Sequence, residues 1–306
     1  MAPPLIVVLG PTATGKSGLG VALAAHLHGE IVNADAMALY RGLDVGSAKP
    51  TARERAGVPH HLLDVLDVTE TASVAGYQRA ARTTIERLRA GGRTPVLVGG
   101  SGLYVQSVID ELEFPGTDPE LRAELEAELA ATGSGALHAR LAAVDPAAAR
   151  VVLPGNGRRI VRALEVIALT GRPYPARLPE AAAPRYDAVL LGVDRPNADL
   201  DVRIGRRVAR MFAAGLVGET RALLERGLRD GVTASRALGY HQVIAALDGD
   251  GDLGRAAADT VLATRRFVRR QRSWYRRDGR IHWLDATAPD LFDQAAAVVP
   301  QLHVGS

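Results

Sequence analysis

Leu5-Ile6-Val7-Val8-Leu9-Gly10-Pro11-Thr12-Ala13-Thr14-Gly15-Lys16-Ser17 is the stretch whose reading decides the fold. Its five leading aliphatic residues read as a short strand buried on both faces, since no polar residue alternates with them. The next eight match G-x-x-x-x-G-K-[ST]. Leu19, Ala22, Leu23 and Leu27 then follow helical spacing, and Gly29 can stop that helix. A glycine-rich turn between strand and helix lets backbone N–H groups turn inward around phosphate oxygens. The helix N-terminus adds positive potential, Lys16 supplies a full charge, and the Ser17 hydroxyl can ligate Mg2+.

Outward from this loop, Ile31 to Ala34 reads as a second strand with Asp35 at its carboxyl end. A helix is expected from about Val74 to Ala90, stopped by Gly91-Gly92, and Pro95 to Val98 gives a third strand. Strands alternating with helices predict a parallel sheet covered on both faces. The pattern changes after Phe114-Pro115-Gly116. Asp118 followed by Pro119 is a good helix start, and only helical signals follow as far as Thr170, with breaks near Gly133, Pro146 and Pro154-Gly155. Gly171 ends a helix, and four prolines between Arg172 and Pro184 make a linker. The sheet pattern returns at Ala188 to Val193, and long helices follow to about Arg277. The expected fold is α/β: a P-loop NTPase-like parallel-sheet core, residues 1–111 and 187–306, with an inserted helical domain, residues 112–186.

A chain of 306 residues, 47% hydrophobic, can bury a large core. Without cysteine it has neither disulfides nor thiolate metal sites, which fits a reducing compartment. Met1-Ala2-Pro3-Pro4 carries no basic leader, and Gly10 and Lys16 interrupt the first apolar run too early for a signal peptide or membrane span. The expected location is cytoplasmic, with no membrane partner. Net charge is only +3, yet Arg265, Arg266, Arg269, Arg270, Arg272, Arg276, Arg277 and Arg280 fall in one short stretch. A phosphate backbone feels such a patch more than the total charge.

A phosphate loop does not specify a nucleotide. Kinases and ATPases usually add an aspartate at the end of a neighbouring strand to support Mg2+. Here the strand at Pro95 to Val98 ends in Gly99-Gly100-Ser101-Gly102. The missing acid counts against a kinase and suggests close backbone approach by a ligand. Asp35 lies where open parallel sheets place their ligands. Outer support for Mg2+, a general base, or a cap for the turn at Ala36-Met37-Ala38-Leu39 all fit its position.

With these pieces placed, the chain resembles the tRNA dimethylallyltransferase (tRNA isopentenyltransferase) family over nearly its whole length. Beyond the phosphate loop, the likeness rests on Asn33 to Pro50 (Asn-Ala-Asp-Ala-Met-Ala-Leu-Tyr-Arg-Gly-Leu-Asp-Val-Gly-Ser-Ala-Lys-Pro) and Pro59-His60-His61-Leu62-Leu63-Asp64. It continues in Leu97 to Tyr104, Arg162-Ala163-Leu164-Glu165-Val166, Gly239-Tyr240, Thr264-Arg265 and Arg270-Gln271-Arg272-Ser273-Trp274-Tyr275-Arg276. The resemblance implies transfer of a dimethylallyl group from dimethylallyl diphosphate to N6 of the adenosine 3′ of the anticodon. It also implies that Gly10 to Ser17 holds that diphosphate and not ATP. The family's Asp-Ser-Met-Gln is here Asp35-Ala36-Met37-Ala38, and Arg158-Arg159 replaces a frequent Gln-Arg pair.

Carried over residue by residue, Asp35 resembles the family's base and Thr14 a loop donor to the diphosphate. Lys16 and Mg2+ on Ser17 would stabilise the departing charge. Arg203 and Arg207, one helical turn apart, match a family Arg-Ile-x-x-Arg pattern and are candidates for a further cation. His60-His61 lack metal-site spacing and read as structural. The expected tRNA contacts are Asp35, Ala36, Met37, Ala38, Ser101, Arg122, Arg158, Arg159, Ile160, Val161 and Arg162, with the anticodon stem-loop as partner and a monomer as the working unit. In the insertion, Ile160, Leu164 and Ile167 form a core stripe, with Arg158 and Arg162 roughly opposite. The adenosine would have to leave its stack to react. Trp274 and Tyr275 read as core anchors. Competing readings are an isopentenyltransferase acting on free AMP, ADP or ATP, a small-molecule kinase, and a non-catalytic RNA-binding module.

Overall fold

Ile6–Leu9 forms β1, buried along its whole length as its unbroken aliphatic run requires. Around it stand β2 (Glu30–Asn33), β3 (His60–His61), β4 (Pro95–Gly99), β5 (Val189–Asp194) and β6 (His282–Asp285). All five pairings are parallel, in the order β3-β2-β4-β1-β5-β6. The register sets Val8 beside Val98 and Leu191. A chain leaving β1 therefore enters α1 (Lys16–His26) and returns in β2 with the place of β4 left open between them. The carboxyl ends of β1, β4 and β2 lie side by side, a crevice where open α/β sheets bind ligands.

The computed structural model describes residues 2–176, 182–249 and 251–299. Residues 177–181, part of the proline linker read from sequence, lie outside the described residues. Two compact units are present: Met1–Glu111 with Ala183–Ser306, and Leu112–Ala182. In the first, one sheet face packs Val7, Leu9 and Leu97 against α3 (Val74–Ala90) and α4 (Gly102–Ile109). The other packs Ile6, Val8 and Val98 against α1 and α12 (Leu291–Val298). The short α2 (Ala52–Arg55) carries a capping box between Thr51 and Glu54. A second core joins α8 (Asn197–Ala213), α9 (Leu216–Glu225) and α10 (Tyr240–Asp248) to Tyr40, Leu43 and Val68. Along α8, Leu200, Ile204 and Val208 form a buried stripe that meets Val268 of α11 (Leu253–Tyr275).

The second unit is helical: α5 (Pro119–Val144), α6 (Pro146–Ala149) and α7 (Gly157–Thr170). Asp118 caps α5 by accepting from the Glu120 and Leu121 amides, as the Asp-Pro pair predicts. Gly133 adopts φ 81° and kinks that helix where sequence places a break. Gly171, left-handed at φ 64°, ends α7. Ile160 and Leu164 are buried among Leu125, Leu137 and Leu141, with Ile167 partly so.

Two strands escape the sequence reading. β3 is two residues long, too short for any period, and β6 (His-Trp-Leu-Asp) sits at the sheet edge with only Leu284 buried.

Candidate active site

The phosphate loop bridges β1 and α1. Gly10, at φ 144°, sits so close to β5 that a Cβ would come within 2.2 Å of the Val193 carbonyl oxygen. Ala13 holds φ 66°, a conformation costly for a residue with a Cβ and typical of sites built for a purpose. It is retained because Arg203 of α8 donates Nε to its carbonyl at 2.8 Å and because it packs against the α8–α11 core. Arg195 braces the next carbonyl, that of Thr14, at 2.9 Å. Thr12 N–H donates to Gln271 Oε1 at 3.0 Å, and Gln271 Nε2 donates to the Gly100 carbonyl at 2.8 Å.

Two expectations for this loop are corrected. Thr14 is fully buried, and its hydroxyl donates to the Pro11 carbonyl at 3.0 Å, so the side chain braces the loop from within and is not aimed at a diphosphate. A buried loop carbonyl needs a partner, and Thr14 supplies it. Arg203 is likewise a brace for Ala13. Of the i,i+4 pair, Arg207 alone lines the cleft.

That cleft encloses about 600 Å³, its mouth included, and is bordered by Thr12, Lys16, Ser17, Asp35, Ala38 and Arg207, with Ser47 to Pro50 on a further wall. Burial pushes the Lys16 ammonium down to about 8; Asp35 raises it and Arg207 lowers it further. Burial also lowers the Arg207 guanidinium, against the pull of Asp35. Two cations and one carboxylate thus share a poorly hydrated space, the cations facing charge they do not fully neutralise among themselves. An anionic ligand completes such a set.

Asp35 is fixed from several sides. Its N–H donates to Asn33 Oδ1 at 3.0 Å, and its Oδ1 accepts from Met37 N–H at 2.9 Å. Asn33 Nδ2 donates to the Asp35 and Leu62 carbonyls, and Tyr77 donates to the Asn33 carbonyl at 2.9 Å. The turn cap and the site carboxylate, alternatives in the sequence, are one residue doing both. Tyr77, Tyr104 and Tyr275 all feel Asp35; burial, first, pushes Tyr104 up to about 12 and raises the other two. All three remain neutral phenols near neutrality. Of the turn expected at tRNA, Ala38 lines the cleft, while Ala36 packs into the α3–α4 core and Met37 into the α8–α10 core. Ser101 accepts from Ala36 N–H at 3.3 Å and so ties the β4–α4 turn to the Asp35 turn.

For Mg2+, the described residues hold no group of three His, Cys, Asp or Glu able to cage an ion. Ser17 is exposed on the cleft. One hydroxyl, with diphosphate oxygens and water, is the kind of hard-oxygen set Mg2+ accepts, so the residues fit. One acid at a strand end escaped the sequence reading: Asp194, closing β5 beside β1. It is held bidentately by Arg272, at 2.9 and 2.7 Å, and caps Arg195 N–H, so its oxygens serve structure. His61 Nε2 lies 2.7 Å from Glu30, and His60, which borders the cleft, has Nδ1 2.8 Å from the Val58 carbonyl.

Lys49 also escaped a role. Its ammonium is buried and donates to Tyr40 O at 2.8 Å, Asp44 at 2.6 Å and Asp64, stapling the cleft wall to the loop after β3. A lone lysine in a loop gives no sequence signal of burial. In the helical unit, Glu165 is 0% exposed and pairs with both Arg122 and Arg162. Arg162 further donates to the Pro115 and Gly116 carbonyls at 2.7 and 2.9 Å. Arg122 and Arg162, expected on tRNA, are thus committed to a buried carboxylate that would otherwise be uncompensated. Ile160 and Val161, also expected there, are core residues, 0% and 1% exposed. Arg159 donates to the Ala176 carbonyl; Arg158 is exposed. In α11 and beyond, Arg272 and Arg280 are paired with aspartates, whereas Arg266, Arg269, Arg276 and Arg277 are exposed. Trp274 and Tyr275 pack in the α3–α4 core, as the reading of them as anchors requires.

A phosphate loop on a parallel sheet, opening onto a carboxylate and two desolvated cations, defines a P-loop protein with an anion-receptive cleft beside a carboxylate. Residues 38–278 match the model of the IPP transferase family. The chain belongs to that family. It is 62% identical over 301 residues to a tRNA dimethylallyltransferase of Streptomyces avermitilis, covering 98% of this chain and 95% of that one. To the tRNA dimethylallyltransferase of Streptomyces griseus subsp. griseus it is 65% identical over 283 residues, 92% and 90% of the two chains. The crystal structure of full-length tRNA isopentenylpyrophosphate transferase from Bacillus halodurans superposes with a TM-score of 0.71 at 38% identity, covering 97% and 96%.

Proposed function

We propose that this chain transfers the dimethylallyl group of dimethylallyl diphosphate to N6 of the adenosine 3′ of the anticodon in tRNA, giving N6-isopentenyladenosine. The observation that carries the reading is the single cleft in which Lys16, Ser17 and Arg207 face Asp35. An adenine N6 amine is a weak nucleophile, because its lone pair is delocalised into the ring. As N6 bonds to the allylic carbon, the carbon–oxygen bond to diphosphate breaks and an N6 proton passes to the Asp35 carboxylate. The diphosphate leaves with both electrons of that bond, and Lys16, Arg207 and the loop amides receive the charge. Mg2+ on Ser17, when bound, supplies further positive charge to the diphosphate oxygens.

Lys16, lowered to about 8 by burial, is stabilised by an anionic neighbour, as the diphosphate would be. The β4 strand ends in glycines and Asp194 is occupied by Arg272, which leaves the strand ends beside β1 without the free acid a kinase uses. On the acceptor side, exposed Arg158, Arg266, Arg269, Arg276 and Arg277 suit RNA phosphates. Among the described residues no helix is long and apolar enough to cross a membrane. The reading is of a cytoplasmic enzyme working on the anticodon stem-loop as a monomer.

Incubation with labelled dimethylallyl diphosphate and either tRNA or AMP tests this. Label is expected in tRNA, at an adenosine recovered by nuclease digestion. Label on AMP alone, or γ-phosphoryl transfer from ATP, refutes it.

A further inference from the structure

Gln271 is 6% exposed and lies on α11, 259 residues along the chain from the loop it touches. Its amide is used at both ends. Oε1 accepts from Thr12 N–H at 3.0 Å, and Nε2 donates to the Gly100 carbonyl at 2.8 Å. Gly100 cannot be larger without displacing it, because a Cβ there would fall 2.4 Å from Nε2. One turn on, Trp274 presses on Gly102 in the same manner, 2.4 Å from a built Cβ. Two side chains of one helix thus dock onto the β4–α4 turn, and one of them continues into the phosphate loop.

The chemistry of the contact matters. A primary amide can accept from a backbone N–H and donate to a backbone carbonyl through one planar group, and Gln271 does both here. Thr12 lines the cleft, so the position of its backbone fixes the mouth of the loop on the side facing β4. Arg203 and Arg195 brace the next two carbonyls, of Ala13 and Thr14. Without Gln271 the Thr12 N–H and the Gly100 carbonyl both lose their partner, and the tie between the phosphate loop and the β4–α4 turn is gone.

We propose that Gln271 is a positioning residue of the phosphate loop, holding Thr12 and Gly100 in the geometry that receives diphosphate. This rests on the reading of the loop as a diphosphate cradle. It acts on the diphosphate half of the site and leaves tRNA affinity alone, because its side chain is buried while the arginines beside it on α11, Arg269 and Arg270, point outward.

The test measures binding of inorganic diphosphate with Mg2+ by calorimetry, and binding of tRNA by filter retention, for full-length protein. Gln271→Ala should weaken diphosphate about tenfold and change tRNA affinity by less than about twofold. Gln271→Glu still accepts from Thr12 but sets a carboxylate against the Gly100 carbonyl; it should weaken diphosphate too, and less so at low pH, where a protonated carboxyl can again donate. Gly100→Ala should reproduce the Gln271→Ala loss by evicting the amide, and the double variant should be no worse than either single one. If Gln271→Ala does not fold, Gln271→Glu and its pH dependence carry the test. Unchanged diphosphate affinity, or equal loss of diphosphate and tRNA, overturns the proposal while the cradle stands. Wild-type protein that binds no diphosphate sinks the cradle, and the proposal with it.

Discussion

Replacing Lys16 with methionine should make this protein more stable and useless at once. The ammonium sits at about 8, down from its ordinary 10.5, first because burial strips its water and then because Arg207 opposes it, with Asp35 giving part back. That fall corresponds to about 3 kcal/mol of unfavourable free energy in the folded state at pH 7. Lys16 remains partly exposed and donates to the Pro11 carbonyl at 3.3 Å, so about 1–2 kcal/mol is the measurable share. Lys16→Met keeps the length and removes the charge. Between pH 8 and 10.5 the unfolded chain binds a proton at this site that the folded chain has released. Wild-type stability therefore rises with pH across that window relative to the variant. The variant's advantage is full below about pH 8 and gone by about 10.5. Urea denaturation of both proteins at a series of pH values reads this directly, with diphosphate binding by calorimetry expected to vanish in the variant. A Lys16→Met protein less stable than wild type at pH 7, or a gap that does not narrow with pH, would refute the picture of a cation held short of water for a ligand.

Asp35→Asn keeps an oxygen for the Met37 N–H and so should fold normally, bind tRNA and diphosphate, and lose about 10²–10⁴ in kcat; equal loss of binding would remove Asp35 as the base. Glu165→Ala leaves Arg122 and Arg162 without their buried partner and should cost the helical unit about 3–5 kcal/mol, seen as proteolytic cleavage within 112–182 while diphosphate binding persists. Arg269→Ala and Arg276→Ala should each lower the slope of log tRNA affinity against log salt by about 1, whereas Arg272→Ala, which removes the Asp194 pair, should act on thermal stability and leave the slope unchanged.

Much of this was legible in one dimension. The aliphatic run ending at Gly10, the loop spacing, the Asp118-Pro119 start and the breaks at Gly133 and Gly171 each follow from local stereochemistry, which neighbours in sequence are enough to set. So was Asp35 at a strand end, because strand ends and turn caps are written locally. Arginine was the least legible residue. Sequence shows that Arg122, Arg162, Arg203 and Arg272 are charged, but folding decides their duties: Arg122 meets Glu165 across 43 residues, Arg203 the Ala13 carbonyl across 190 and Arg272 Asp194 across 78, while Arg162 shares Glu165 from a separation of 3.

By itself, then, the sequence determined four of the six strands, the phosphate loop and the carboxylate, because backbone preferences and hydrophobic period act over a few residues. Tertiary structure alone decided which cations face the cleft and which are spent on carbonyls and acids. A charged group is assigned by whatever it meets in space, and burial makes the wrong partner, or none, too costly to keep.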